Sequence, residues 1–174
     1  MNYYTPKSSH AQNIISESEE RKYSFQRLPN IYKKKVRKEI WDLSENSAGI
    51  NIQIRTNTRN LIIKWCIKLD FKMNHMTDAG IKGLDIYQYE GKKWQYLSTG
   101  LPNSSKNKHT IKFKNANDKI LCFYLPLYDS IVDFKIGVDD DSDVKFLKNK
   151  NKPIVFYGTS ITQGGCASRP GMAH

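Results

Sequence analysis

Cysteine, acidic charge and long apolar runs are all scarce in this 174-residue chain. The three cysteines, Cys66, Cys122 and Cys166, show no zinc-ligand spacing, so no metal is expected. Cys66 and Cys122 fall inside strand-like runs and read as buried free thiols, with a disulfide between them left open by the sequence. No apolar run reaches membrane length, so no spanning helix is expected. The opening Met1-Asn2-Tyr3-Tyr4-Thr5-Pro6 lacks the apolar stretch of a signal peptide. As written the chain shows no export signal, which fits cytoplasmic residence or a start placed downstream of the true one. Asp and Glu number 17 against 28 Lys and Arg, a net charge of +11. Such a balance attracts polyanions. No nucleic-acid motif accompanies it, however, and most lysines fall in turns or at alternating strand positions, where they solvate a face. No nucleic-acid partner is expected.

The chain does contain enough apolar and aromatic material for a core, and its length suits one full domain plus a fragment. Residues 1–24 are polar and aperiodic, and read as a flexible N-terminal segment. Asn30 to Leu43 has a weak helical or irregular pattern, with Trp41 and Leu43 as anchors and Lys33, Lys34, Lys35, Arg37 and Lys38 facing water. From Ile50 the period becomes two. Ile50, Ile52 and Ile54 alternate with polar residues; Leu61, Ile63, Trp65, Ile67 and Leu69 share one face, with Lys64 and Lys68 on the other. A polar face of this kind predicts an antiparallel sheet with one side in water.

Residues 70–83 form a long connection. Gly83–Tyr89 and Lys93–Ser98 around Glu90-Gly91-Lys92 read as a hairpin. Further strands are expected over His109–Lys114, Ile120–Leu125 (apolar on both faces, hence central) and Val132–Val138. The spacing predicts a mainly β fold, a jelly-roll-like antiparallel β-sandwich over residues 25–138. Asp139 to Asp143 is not an EF-hand loop, because Val144 and Lys150 stand where Gly and Glu are needed. It reads as a solvated turn opening a linker over residues 139–152.

Pro153-Ile154-Val155-Phe156-Tyr157 is a continuous apolar run, the pattern of a parallel strand covered on both faces. Gly158-Thr159-Ser160 follows at once, with Gly164 and Gly165 just beyond. A strand ending there would deliver Ser160 to the carboxyl edge of a sheet, with Gly158 permitting a sharp turn. Ser160 would then open a helix or turn, its backbone N–H pointing outward where the helix end favours negative charge. A hydroxyl held beside such a donor suits attack on an ester carbonyl. On pattern alone the same segment could cradle a phosphate or be a plain turn. A Walker-type loop is excluded, since no Gly-Lys-Ser/Thr ends it.

Ile154 to Gly171, with Gly158-Thr159-Ser160-Ile161-Thr162-Gln163-Gly164 at its centre, resembles the first sequence block of the SGNH (GDSL-like) hydrolases. The bacterial branch with an N-terminal β-sandwich writes the block in this way. That sandwich is matched by Arg27-Leu28-Pro29, Trp41 to Gly49, His75 to Tyr87 (with Gly83-Leu84-Asp85-Ile86-Tyr87) and Tyr124 to Tyr128, so the resemblance spans residues 25–174. It implies that Ser160 is the nucleophile, that its backbone N–H is one oxyanion donor, and that Gly158, Gly164 and Gly165 shape the turn. Thr159 departs from the commoner Asp.

The family's later blocks supply a Gly and an Asn to the oxyanion hole and an Asp and His to activate the Ser. Residues 153–174 are therefore expected to be the start of an incomplete hydrolase domain, poorly ordered without its remainder in cis and without meaningful turnover. His174 lies too near Ser160 in sequence to be the family's catalytic His. The implied substrate is a small-molecule or O-acylated carbohydrate ester, with no cofactor. The alternative is a non-catalytic β-sandwich module that binds carbohydrate or another partner.

His75, Asp85 and Tyr87 are candidates to line the substrate cleft, or else to fix the long loop through internal hydrogen bonds. Arg169 would orient an anionic or hydroxylated substrate, or anchor the loop after the nucleophile. Tyr87, Tyr89, Trp94 and Tyr96 could stack on a sugar ring or on one another.

Overall fold

The computed structural model describes residues 1–15, 20–148 and 156–173. In chain order the elements are β1 (Asn2–Tyr4), β2 (Ala11–Gln12), α1 (Lys38–Ser44), β3 (Asn51–Thr56), β4 (Asn60–Ile67), α2 (Asp78–Lys82), β5 (Leu84–Glu90), β6 (Lys93–Gly100), β7 (Lys106–Lys112), β8 (Lys119–Tyr124), β9 (Ile131–Val138), β10 (Val144–Leu147) and α3 (Ser160–Gln163). The strands form two antiparallel sheets packed as a sandwich. One runs β1-β9-β4-β7 and the other β10-β3-β8-β5-β6, with β2 also paired to β3.

Alternation explains the packing. Ile52 and Ile54 of β3, Leu61, Ile63 and Trp65 of β4, Leu84 and Ile86 of β5, and Phe134 and Ile136 of β9 turn inward and are buried together. Trp65 is almost wholly buried yet satisfied, because its indole N–H donates to the Lys82 carbonyl at 3.0 Å. Burying a side chain of this size contributes about 1.5–3 kcal/mol. The β5–β6 hairpin turns through Gly91 (φ 57°) and Lys92 (φ 64°), both left-handed, as a tight two-residue connection requires.

The ends of the chain differ from expectation. Residues 1–24 were expected to be a flexible segment, yet β1 pairs with β9 and β2 with β3. Gly137 opposite Tyr3 is what lets that ring lie on the strand, since a Cβ there would come within 2.6 Å of it. The expected 139–152 linker contains β10, which pairs with β3. Asp139 is no idle turn residue either. Its carboxylate accepts from Thr58 Oγ1, the Arg59 and Asn60 amides and Asn60 Nδ2, at 2.9–3.0 Å, and these bonds, those of Asn60 foremost, hold it below the usual carboxylate range. The apolar run expected as a parallel strand lies outside the described residues over 153–155; Phe156 and Tyr157 are exposed and form no strand.

Smaller differences have local causes. Trp41 is buried as an anchor, whereas Leu43 and Leu69 are exposed. The cysteines are free; Cys66 lies on β4 and Cys122 on β8, in opposite sheets. Burial pushes the Cys122 thiol up to about 12.

A second, smaller apolar cluster lies outside the sandwich core. Ala48, Met76, Ile81, Leu127 and Tyr128 form it, and Ala167 and Ala173 from the C-terminal segment pack against it. Asp129 fixes this corner by accepting from the amides of Lys68, Leu69, Asp70 and Ser130 at 2.7–3.1 Å.

Candidate active site

Ser160 is the first residue of α3, with Thr159 as an extended N-cap, and it is exposed. Its hydroxyl makes no hydrogen bond among the described residues. The helix lasts one turn because Gly164 adopts φ 105° and ends it: the Gly164 amide donates to Ile161 O and the Gly165 amide to Ser160 O at 2.7 Å. Gly164 is doubly constrained, since a Cβ would sit 2.8 Å from both Ala173 and Leu127. Gly158 was expected to supply an unusual backbone turn. Its φ lies outside the left-handed range, and what glycine supplies there is room for the Thr162 side chain, whose hydroxyl a Cβ would overlap.

Residues 156–173, expected to be poorly ordered, lie against the sandwich. The sandwich holds them at several points. Tyr128 Oη donates to Ser160 O at 2.9 Å, Gln163 Nε2 donates to Leu127 O at 3.0 Å, and Arg27 Nη2 donates to Gln163 Oε1 at 3.0 Å. Thr77 Oγ1 donates to Ser168 O at 2.6 Å, and Gly80 leaves no room for a Cβ beneath the Ala167 carbonyl. These partners come from the sandwich itself.

The other end of the loop meets β5 and β6. Arg169 Nη1 donates to Asp85 Oδ2 at 2.5 Å and to Tyr87 Oη at 2.9 Å, and its guanidinium lies 4.1 Å from the centre of the Tyr96 ring. Burial alone would lower the Arg169 guanidinium, but its bonds to Tyr87 and Asp85 outweigh that and hold it above its ordinary value. Three of the expected site residues, Asp85, Tyr87 and Arg169, therefore converge. His75 does not join them: it is exposed, and its Nδ1 lies 2.9 Å from Asn74 Oδ1. Arg27, Thr77, Tyr128 and Gln163 lie in stretches that the resemblance covers but were given no site role, and Thr99, which donates to Asp85 Oδ1 at 2.7 Å, was not singled out; no periodicity marks them. Among the described residues no group of His, Cys, Asp or Glu could hold a metal ion, and no helix is long and apolar enough to cross a membrane.

Fold and site together define a β-sandwich that seats a glycine-closed one-turn helix, headed by the exposed Ser160, on its surface. Residues 1–144 match the family model GxDLY, described as the N-terminus of SGNH-hydrolase-type esterases, and the chain belongs to that family. The signature in its name is written here as Gly83-Leu84-Asp85-Ile86-Tyr87. Residues 151–174 match the GDSL-like lipase/acylhydrolase family. A protein of Bacteroides ovatus ATCC 8483 described as a GDSL-like lipase is similar in structure, with a TM-score of 0.89 and 30% identity over 99% of this chain and 51% of that one. Salicylyl-acyltransferase SsfX3, from a tetracycline biosynthetic pathway, shares the fold with a TM-score of 0.63 at 15% identity, over 98% of this chain and 49% of its own. The chain thus spans about half the length of these solved structures. No curated protein matches it.

Proposed function

We propose that this chain is the front of a two-domain serine esterase that hydrolyses carboxylic esters, O-acylated carbohydrates among them, through Ser160. The observation that carries this reading is the exposed Ser160 hydroxyl at the head of a one-turn helix that the sandwich holds through the Ser160 carbonyl and the Gln163 side chain. Ser160 Oγ would attack the ester carbonyl carbon while the carbonyl oxygen gathers negative charge near the Ser160 backbone N–H. Collapse of that intermediate would break the bond to the alcohol and leave an acyl-serine, which water then hydrolyses.

The hydroxyl proton needs a base, and no described side chain reaches Ser160 Oγ. The base and the further oxyanion donors would come from the rest of the hydrolase domain in cis. A general base contributes about 10²–10⁴-fold and each oxyanion donor about 10²–10³-fold. Purified 174-residue protein should therefore show no Ser160-dependent turnover of p-nitrophenyl acetate. The same sandwich joined to a whole SGNH domain should turn it over, and Ser160→Ala should abolish that activity. Retained hydrolysis in the Ser160→Ala enzyme would sink the reading.

A second reading has one observation in its favour. Tyr89 and Trp94 form an exposed edge-to-face pair at 5.2 Å on the β5–β6 hairpin, a surface able to stack on a sugar ring. If the 174-residue protein binds a polysaccharide and Trp94→Ala removes that binding while Ser160→Ala does not, the module has a ligand-holding role of its own.

A further inference from the structure

The strands contain one carboxylate whose partners lie mostly outside the sandwich. Asp85 sits on β5 between Leu84 and Ile86, which face the core, and it is 0% exposed. A buried carboxylate must be paired or hydrogen-bonded. Within the sandwich Thr99 Oγ1 serves Oδ1 at 2.7 Å. Both donors to Oδ2 come from the loop after the nucleophile: Arg169 Nη1 at 2.5 Å and the Gly171 amide at 2.9 Å. The fit is close, since a Cβ on Gly171 would lie 2.5 Å from Tyr87 and 2.8 Å from Asp85 Oδ2. Tyr96 covers one face of the guanidinium.

We infer that Asp85 is a positioning residue for the nucleophile. It clamps residues 169–171, while Tyr128 and Leu127 hold Ser160 and Gln163 at the other end of the same segment. Between the two clamps the chain folds back on itself: Gly164 and Gly165 close the helix, and the Ala167 amide bonds back to Gly164 O at 3.0 Å. The sandwich thereby sets where the Ser160 hydroxyl and amide stand relative to the rest of the enzyme. Charge-assisted bonds supply both strength and direction, and a misplacement of about 1 Å at a reacting centre costs about 10²-fold in rate. The catalytic consequence rests on the esterase reading above; the clamp itself does not.

Hydrogen exchange on the 174-residue protein tests the clamp without any activity. In Asp85→Asn the amides of Gly164, Gly165, Ala167, Gly171 and Met172 should exchange about tenfold faster or more, while those of β3 and β4 stay unchanged, as expected for a local opening. Arg169→Gln removes the same bond from the loop side without touching the strands, and should reproduce the pattern if Asp85→Asn fails to fold. Arg169→Lys, which keeps the charge, should recover part of the protection. Unchanged loop exchange, or equal acceleration in loop and strands, overturns the clamp. In an enzyme carrying the whole hydrolase domain, Asp85→Asn should lower kcat about 10–100-fold with KM within about twofold. A raised KM with kcat preserved would instead make the cluster a substrate-binding site. Absence of any Ser160-dependent activity would remove the esterase reading and leave the exchange result to decide the clamp alone.

Discussion

The outer faces of the two sheets use polar residues in opposite ways. On the β9-β4-β7 face, Lys64 stands directly opposite both Lys135 and Lys108, so three like charges lie in one row across three strands. Lys64 lies 4.3 Å over the Tyr3 ring and Lys135 reaches Asp133 at 3.2 Å; all three ammonium groups stay in water. On the β5-β6 face, Asp85, Tyr87, Tyr96 and Thr99 gather around one loop and its Arg169. Both faces show the same apolar–polar alternation in sequence. The difference lies in whether partners arrive from far along the chain. The first face is solvated and tolerates repulsion that screening weakens. The second is covered by residues 169–171 of the segment that follows Ser160.

The largest expected effect is on the covered face. Arg169→Ala leaves the Asp85 carboxylate buried without its cation. It should lower stability by about 2–3 kcal/mol in urea unfolding, less than the usual cost of breaking a buried pair because the guanidinium is a quarter exposed. A loss no greater than that of a random surface substitution would erase the contrast between the two faces.

The next effect belongs to the end of the solvated sheet where β9 leaves and β4 begins. Asp139 is held below the ordinary carboxylate value by its bonds to Asn60, Thr58 and Arg59, so its folded form prefers the ionised state. Its contribution is fully present above the unfolded value of about 3.9 and is lost as pH falls through the lower folded value. Asp139→Asn should therefore flatten the acid limb of a stability–pH curve and leave its neutral region little changed in slope.

The smallest effect is on the lysine row. Lys108→Glu places opposite charges across β4 and β7 and should stabilise the protein by about 0.5 kcal/mol at low salt, fading in molar salt. Destabilisation at low salt would mean that the row is not governed by simple repulsion.

Much of the sandwich was legible because β3, β4 and β9 carry a clean period of two, β8 is apolar on both faces, and turn residues mark the β5–β6 hairpin. The misses share a cause. β1, β2 and β10 are edge strands of two to four residues, too short to show a period, and their pairing is decided by what lies beside them. The helix α2 spans five residues within what reads as a loop. Asp139 reads as solvent-facing because its donors lie about 80 residues away. In the same way Asp85, Tyr87 and Arg169 are visible singly, but nothing local says that residues 82 to 84 positions apart will meet. The turn at Ser160 was easier, since Gly-X-Ser with glycines beyond it encodes a turn within a few residues. His75, chosen for its loop, lies apart from the cluster because that loop's inward-facing positions are Met76 and Ile81 instead.

Strand β1 has one more effect. It lies along the final three residues of the eight-residue strand β9, from Ile136 to Val138. Strip away the first five residues and that rim of amides and carbonyls would be bare, in a stretch rich in Val, Ile and Phe and ready to recruit the same stretch from another molecule. The opening tripeptide Asn2-Tyr3-Tyr4 thus works as a sheath: its removal would show first as concentration-dependent self-association, before any loss of the fold within.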